Sequence, residues 1–230
     1  MSKINVKDKD IVVPGEVLAV GMESFPGIGT YREKENIIAA RLGLVQLDGR
    51  TIKLIPLSGR YIPKKYDMII CEVIDVNFSG WRLDTNSAYS AMLSMKEATS
   101  QFIARGADLT RYYDIGDYVV CKIVNVTSQK LVDVTMKGMG LRKLKGGRII
   151  KVASNKVPRI VGKQGSMVSM IKEATKCNII VGQNGLIWIN GSPEDELLAV
   201  KAINKIQEES HLSGLTDKIK DFLEKNKSKA

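Results

Sequence analysis

The hydrophobic positions form short runs over the first two-thirds of the chain and take helical spacing only towards the C-terminus. Apolar runs bounded by Gly, Asp and Pro predict short strands. Two such runs between Asn36 and Leu57 flank Asp48-Gly49, which predicts a two-residue hairpin turn with positive φ at both central residues. We therefore expect residues 1–64 to form a small β domain that ends near Pro63, which cannot donate to a strand ladder.

Residues 65–145 continue the strand pattern. Apolar runs predict strands at 68–76, 118–126 and 131–136, with a Gly80-Trp81 step after the first of them. Several short strands with Gly and Asp turns in about 80 residues are typical of a small barrel or sandwich.

In residues 146–230 the spacing of hydrophobic residues changes from one typical of strands to a mixture that includes helical spacing. Strands are predicted at 148–152, 178–181 and 186–189, and the first two are separated by a short helix and a longer one. The longer helix has an apolar face spaced for a helix, formed by Met167, Met170, Ile171 and Ala174. A last helix is expected to begin at Ser192, as N-cap, with Pro193 at its first position. Residues 215–230 suggest one or two further amphipathic turns.

Composition limits the class of protein. Of the 230 residues 44% are hydrophobic, too many for a disordered chain. No apolar run is long enough to span a membrane, so no membrane partner is expected. The N-terminus has no apolar signal core, and the three cysteines are far apart in sequence; both features favour a cytoplasmic protein.

Side-chain catalysis has little support in the sequence. The one histidine, His211, lies just after the predicted last helix, where capping explains it better than catalysis. A metal-dependent nuclease could use carboxylates, but those available stand mostly at turns, where Asp bonds its own backbone: Asp75, Asp84, Asp108, Asp114, Asp117 and Asp133. We therefore predict no enzyme activity, no cofactor and no metal.

Charge points to a polyanionic partner. The net charge is +10, which favours nucleic acid. The stretch from Arg142 to Lys176 holds ten basic residues and one acid, Glu173. A solvated helix face would mix the two signs, so this basic block is predicted to collect phosphates.

A glycine pair lies inside the basic block. Gly162 and Gly165 flank Lys163 and Gln164, between two apolar helical segments. Glycine lets a sugar–phosphate backbone approach closely, and the N–H groups of the helix that follows favour an anion. A tight helix–helix turn explains most patterns of this kind, but here the order of elements and the basic block agree with phosphate binding.

Residues 146–210 resemble a KH domain of the β-α-α-β-β-α type, whose GXXG loop clamps a single-stranded backbone. The resemblance implies that RNA binds at Gly162, Lys163, Gln164 and Gly165, with further cations around that loop: Lys156, Arg159, Arg148 and Lys172. In such domains bases lie against apolar residues of the next helix, here Met167 and Ile171, whose spacing alone indicates core.

Residues 65–145 resemble a five-stranded OB-type barrel of the S-one kind, on the strand at 68–76, the Gly80-Trp81 step and the run from Gly116 to Val119. The resemblance implies single-strand binding by aromatic side chains and basic rims. The aromatic candidates are Phe78, Trp81 and Tyr89, although core filling is the better explanation for Trp81. This segment has no histidine, so its basic residues are expected to matter more: Arg82, Lys96, Arg105 and Arg111.

The whole order resembles the archaeal exosome RNA-binding cap subunit, from about residue 11 to about residue 209. The resemblance implies a multidomain, mostly β chain with a C-terminal α+β domain, divided at 1–64, 65–145 and 146–230. It also implies three such subunits, alone or mixed with another cap subunit, on a ring of RNase PH-like chains. The first domain would dock on the ring, while the others guide the 3′ end of single-stranded RNA into this 3′-to-5′ exoribonuclease.

Other families share these modules. A transcription elongation factor would carry two KH domains, and the residues after His211 leave no room for a second one. A polynucleotide phosphorylase has its KH domain before the barrel and adds catalytic core domains. An RNA-binding transcription or translation factor with S-one and KH modules is the alternative that stays open.

Overall fold

The structure, a computed structural model, describes residues 3–104, 106–210 and 214–227. The chain divides into two compact units, residues 1–59 and 60–230. Among the described residues, no helix has the length and apolar character needed to cross a membrane. Arg105 and His211 lie outside the described residues, so the structure says nothing about their predicted roles.

Within its described residues, the first unit has eight short strands in two sheets. The sheet orders are β1-β3-β6-β5 and β2-β7-β8-β4. The buried core includes Leu18, Ile37 and Ile52. The strands are β1 Lys3–Ile4, β2 Ile11–Val12, β3 Val17–Val20, β4 Phe25–Pro26, β5 Thr30–Glu33, β6 Asn36–Ala39, β7 Gly43–Asp48 and β8 Thr51–Pro56.

The hairpin between β7 and β8 differs from its prediction by one residue. Asp48 pairs with Thr51, so the two turn residues are Gly49 and Arg50. Only Gly49 of these two has positive φ, at 58°. The Asp48 carboxylate accepts a hydrogen bond from Lys53 Nζ at 2.6 Å, a contact across the ladder. The predicted assignment of Asp48 to the turn was therefore wrong.

The second unit begins with a closed five-stranded barrel, as predicted. The strands pair in the order β13-β11-β10-β9-β12, and β12 also pairs with β13, which closes the sheet. A short sixth strand pairs with β12. The elements are β9 Met68–Asn77, β10 Gly80–Asp84, β11 Ser90–Ser94, α1 Met95–Ala98, β12 Tyr118–Val126, β13 Val132–Thr135 and β14 Arg142–Lys143.

The barrel interior is apolar and includes Trp81. Its ring is fully buried, and its Nε1 donates a hydrogen bond to the Tyr113 carbonyl oxygen at 2.8 Å. Core filling is thus the role of this indole. Cys71 and Cys121 are also buried there, with sulfur atoms 3.5 Å apart.

The remainder of the second unit has the predicted KH order of elements. A three-stranded antiparallel sheet, β15-β17-β16, packs against helices. The Ser192 hydroxyl accepts from Asp195 N at 3.3 Å, so Ser192 is the N-cap of α4. The elements are β15 Arg148–Lys151, α2 Val157–Val161, α3 Ser166–Thr175, β16 Asn178–Val181, β17 Leu186–Asn190, α4 Pro193–Glu208 and α5 Leu215–Lys227. At 13 residues, α5 is longer than the one or two turns predicted.

The outer face of the KH sheet is covered by the barrel. Trp188 and Leu186 on β17 pack with Ile70 of β9 and Val120 of β12 in one buried cluster. Asn184, in the turn between β16 and β17, donates from Nδ2 to the Ile70 carbonyl oxygen at 2.6 Å and to that of Thr85 at 2.8 Å. The two modules are therefore joined by apolar contacts and by hydrogen bonds to buried backbone groups.

Candidate nucleic-acid interface

The glycine loop lies between α2 and α3, with its central side chains exposed. Helix α2 ends at Gly162, where φ is 75° and ψ is 176°. Lys163 and Gln164 follow, both exposed, and Gln164 takes a left-handed conformation with φ of 54°. Gly165, with φ of 82°, precedes the first residue of α3. The loop thus presents a lysine and an amide to solvent beside a helix N-terminus.

Glycine is favoured at the two positions for different structural reasons. A Cβ on Gly162 would lie 2.8 Å from the Met167 backbone N, so a side chain there would push against α3. A Cβ on Gly165 would meet nothing within 4 Å. Gly162 is therefore required by packing, whereas Gly165 keeps open the space in front of the helix, where a sugar–phosphate backbone could approach.

Three predicted cations are exposed on α2, on α3 and in the loop between them. Arg159 belongs to α2, Lys163 to the loop and Lys172 to α3. None of them takes part in an ion pair within the described ranges. The first turn of α3 has no acidic residue. These charges are thus available to an external anion.

Other cations of the basic block have partners inside the protein. Lys156 Nζ donates to the Gln207 carbonyl oxygen at 2.7 Å, near the C-terminal end of α4. Arg148 Nε lies 3.8 Å from a Glu196 carboxylate oxygen. The Arg142 guanidinium lies 5.8 Å from the centroid of the Trp188 ring. Some side chains of the basic block therefore make contacts within the protein, while others are exposed to solvent.

The predicted barrel cations lie on separate elements. Arg82 is exposed on β10 opposite Met92 of β11, and Lys96 is exposed in α1. Arg111 Nε lies 3.3 Å from an Asp108 carboxylate oxygen. Among the described residues, no ion pair or hydrogen bond joins these side chains to the glycine loop. Of the KH candidates, Arg159, Lys163 and Lys172 lie on α2, the loop and α3, whereas Lys156 and Arg148 contact α4. The barrel candidates do not join either group.

The three aromatic candidates differ in how far they are exposed to solvent. Phe78, at the β9–β10 turn, is 94% exposed, whereas Trp81 is fully buried. Tyr89 is partly exposed, and its carbonyl oxygen accepts from the Thr85 hydroxyl at 2.5 Å. Phe78 is therefore the aromatic side chain that is most open to a ligand among the three.

The aspartates considered as metal ligands serve mainly as turn residues. Asp84 accepts from Asn86 N at 2.9 Å, and Asp108 accepts from Thr110 N at 3.1 Å. Over the part of the chain that the structure describes, no three His, Cys, Asp or Glu side chains are grouped so that they could hold a metal ion. Their geometry is that of carboxylates that bond the local backbone.

Comparison with known proteins gives matches over nearly the whole chain. A family model described as a KH domain matches residues 147–195, and one described as the exosome complex exonuclease RRP4 N-terminal region matches residues 11–48. A relative from Pyrococcus furiosus, named exosome complex component Rrp4, is 45% identical over 227 residues, or 97% of this chain and 86% of the relative. A relative of the same name from Methanothermus fervidus is 42% identical over 219 residues, or 95% of this chain and 96% of the relative.

A solved structure is similar as well. The crystal structure of a protein assigned as an exosome complex RNA-binding protein superposes with a TM-score of 0.66 and 32% sequence identity. The superposition covers 73% of this chain and 97% of the other. The fold and the sequence therefore agree in what this chain is similar to.

Proposed function

Because the chain belongs to the family of archaeal exosome components named Rrp4, we propose that it captures single-stranded RNA and guides the 3′ end into a 3′-to-5′ exoribonuclease ring. In this proposal the chain binds RNA and leaves bond cleavage to its partners. It works in the cytoplasm, without a cofactor.

One observation carries the RNA-binding part of the proposal. The glycine loop has an open backbone at Gly165 and an exposed Lys163. Arg159 on α2 and Lys172 in the last turn of α3 are also exposed. A KH loop of this form clamps about four nucleotides by their backbone. Because backbone contacts carry no sequence information, binding should be nearly independent of RNA sequence. Gln164 adds a neutral donor to the same loop.

The barrel supplies a second contact with the RNA. Its exposed Arg82, Lys96 and Phe78 provide charge and one aromatic surface, as in other single-strand-binding barrels. The buried cluster and Asn184 hold barrel and KH module together. A strand bound to both would therefore need less ordering than one bound to two independent modules.

The first unit serves as the contact with the ring. It exposes several large apolar side chains, a feature typical of protein–protein interfaces: Met22, Phe25, Ile28 and Ile55. RNase PH-like subunits are the expected partners, with three copies of this chain, alone or mixed with another cap subunit. Presenting three copies together would raise the affinity for one RNA strand by effective concentration.

Affinity purification of the tagged chain from its own cells tests this assembly. Full-length chain should bring down RNase PH-like subunits, while a chain without residues 1–59 should lose them and keep its affinity for RNA. The truncation follows the boundary of the first compact unit. If ring subunits are absent and a transcription or translation complex is captured instead, the exosome assignment is wrong.

Binding should depend strongly on salt, because phosphate contacts release counterions. If about four to six phosphates are neutralised, a plot of log K against log salt should have a slope of about −3 to −4 for a single strand. Fluorescence anisotropy with a labelled oligoadenylate at several potassium chloride concentrations measures this slope. A slope near zero would mean that the basic loop does not contact the backbone.

A further inference from the structure

An exposed tyrosine lies beside two lysines on the barrel, in the turn that leads into β9. The Tyr66 side chain is 66% exposed. The Nζ atoms of Lys65 and Lys122 lie 5.2 Å and 5.6 Å from its ring centroid. Neither lysine belongs to an ion pair of the described residues. The neighbouring Asp67 carboxylate instead accepts from the Tyr61 hydroxyl at 2.5 Å.

The backbone conformation of Tyr66 is one that favours glycine. Its φ is 75°, at the third position of the turn formed by residues 64–67. The turn at residues 114–117, which leads into β12, closes with the same backbone hydrogen bond and has Gly116, with φ of 88°, at that position. Turns with positive φ at the third position select glycine. The turn therefore has no need of a tyrosine.

The position of this group favours a ligand shared with the KH module. The Met68 carbonyl oxygen, two residues after Tyr66, accepts from Gln183 N of the KH module at 2.9 Å. Lys122 is the cross-strand partner of Met68. The tyrosine and its lysines thus lie at the edge of the barrel that adjoins the KH module.

We propose that Tyr66, Lys65 and Lys122 form a stacking contact for a nucleobase of the single-stranded RNA that the glycine loop holds. The inference rests on the RNA-binding function proposed above. A base stacks on the exposed ring, and the two ammonium groups contact the adjoining phosphates. Such a contact accepts every base, because each base has a π face.

Replacing Tyr66 by glycine gives a clean test, because glycine fits the turn. In the full-length chain, Tyr66→Gly should weaken binding of a fluorescein-labelled oligoadenylate about tenfold, as expected for the loss of one stacked base. The slope against salt should stay unchanged, since the substitution removes no charge. The thermal midpoint should not fall, since glycine relieves the positive φ. The matched variant Tyr66→Phe keeps the ring and should bind as the wild type does.

The outcomes separate this inference from the proposed function. If the wild type binds RNA and Tyr66→Gly binds equally well, the stacking contact is wrong and the glycine loop keeps its role. If Tyr66→Phe is as weak as Tyr66→Gly, the ring is not the contact and the inference is also overturned. If the wild type itself does not bind RNA, the proposed function fails first.

Discussion

Replacing Lys163 and Gln164 together by aspartate should lower the affinity for single-stranded RNA by at least about a hundredfold. Both side chains are exposed in the glycine loop, and neither is part of the core. The change removes one charge-assisted contact, worth about 1.5–3 kcal/mol, and places two carboxylates against the phosphates. Fluorescence anisotropy with a labelled oligoadenylate at fixed salt measures the loss.

These central residues are the better targets, because both flanking glycines have positive φ and Gly162 also packs closely against α3. A side chain on Gly162 would meet the backbone of α3, so lost binding there could reflect lost packing. The matched control is Gln129→Asp with Lys130→Asp, in an exposed turn of the barrel. It makes the same change in net charge and should bind far more tightly than the loop variant. Equal loss in both variants would show that overall charge, not the loop, determines affinity.

Replacing Asn184 by alanine should lower the free energy of unfolding of residues 60–230 by about 3–5 kcal/mol. The Asn184 side chain is 1% exposed and its amide bonds to buried backbone groups of the barrel. Alanine would leave the Ile70 and Thr85 carbonyl oxygens and the Ile70 N–H without this partner. Each unsatisfied buried group costs about 1–3 kcal/mol. Guanidinium unfolding followed by circular dichroism measures the effect.

A matched asparagine provides the control. Asn125 is exposed on β12, and Asn125→Ala should change the free energy of unfolding by no more than about 0.5 kcal/mol. If Asn184→Ala costs no more than this control, the amide does not hold the barrel and KH module together. RNA affinity should also fall for Asn184→Ala, since the RNA-binding surfaces of the barrel and the KH module would no longer be held in one relative position.

Much of the fold could be predicted because local pattern and tertiary structure agree. The strand at 118–126, the helix start at Ser192 and the apolar face of α3 were predicted where the structure has them. The family resemblance, drawn from the order of modules and the glycine loop, was confirmed by relatives that match along nearly the whole chain. Each of these signals is contained within a few consecutive residues.

Features that depend on distant partners were missed. The turn at Asp48-Gly49 was placed one residue early because ladder pairing, which local pattern does not show, extends to Asp48. The sequence also contains a pattern that indicates the contact between the barrel and the KH sheet. Leu186 to Ile189 is apolar without alternation, as expected for a strand buried on both faces, and Ile70 and Val120 interrupt the alternation of their strands in the same way.

The candidate site was predictable only in its centre. The spacing of the glycines identified the loop. The run of basic residues, however, did not distinguish Lys156 and Arg148, which have partners within the protein, from Arg159, which is exposed. Their partners, the Gln207 carbonyl oxygen and Glu196, lie about fifty residues further along the chain. The sequence does contain a pattern that singles out Tyr66. Tyr66-Asp67 precedes β9 just as Gly116-Asp117 precedes β12, with an aromatic residue in place of the glycine.

The most direct test of the central claim is one incubation of purified full-length chain with 5′-labelled single-stranded RNA and magnesium. Aliquots are run in parallel on native and denaturing gels. We predict that the RNA is retarded on the native gel and is recovered at full length on the denaturing gel. Shortened RNA, or RNA that migrates as though no protein were present, would contradict it.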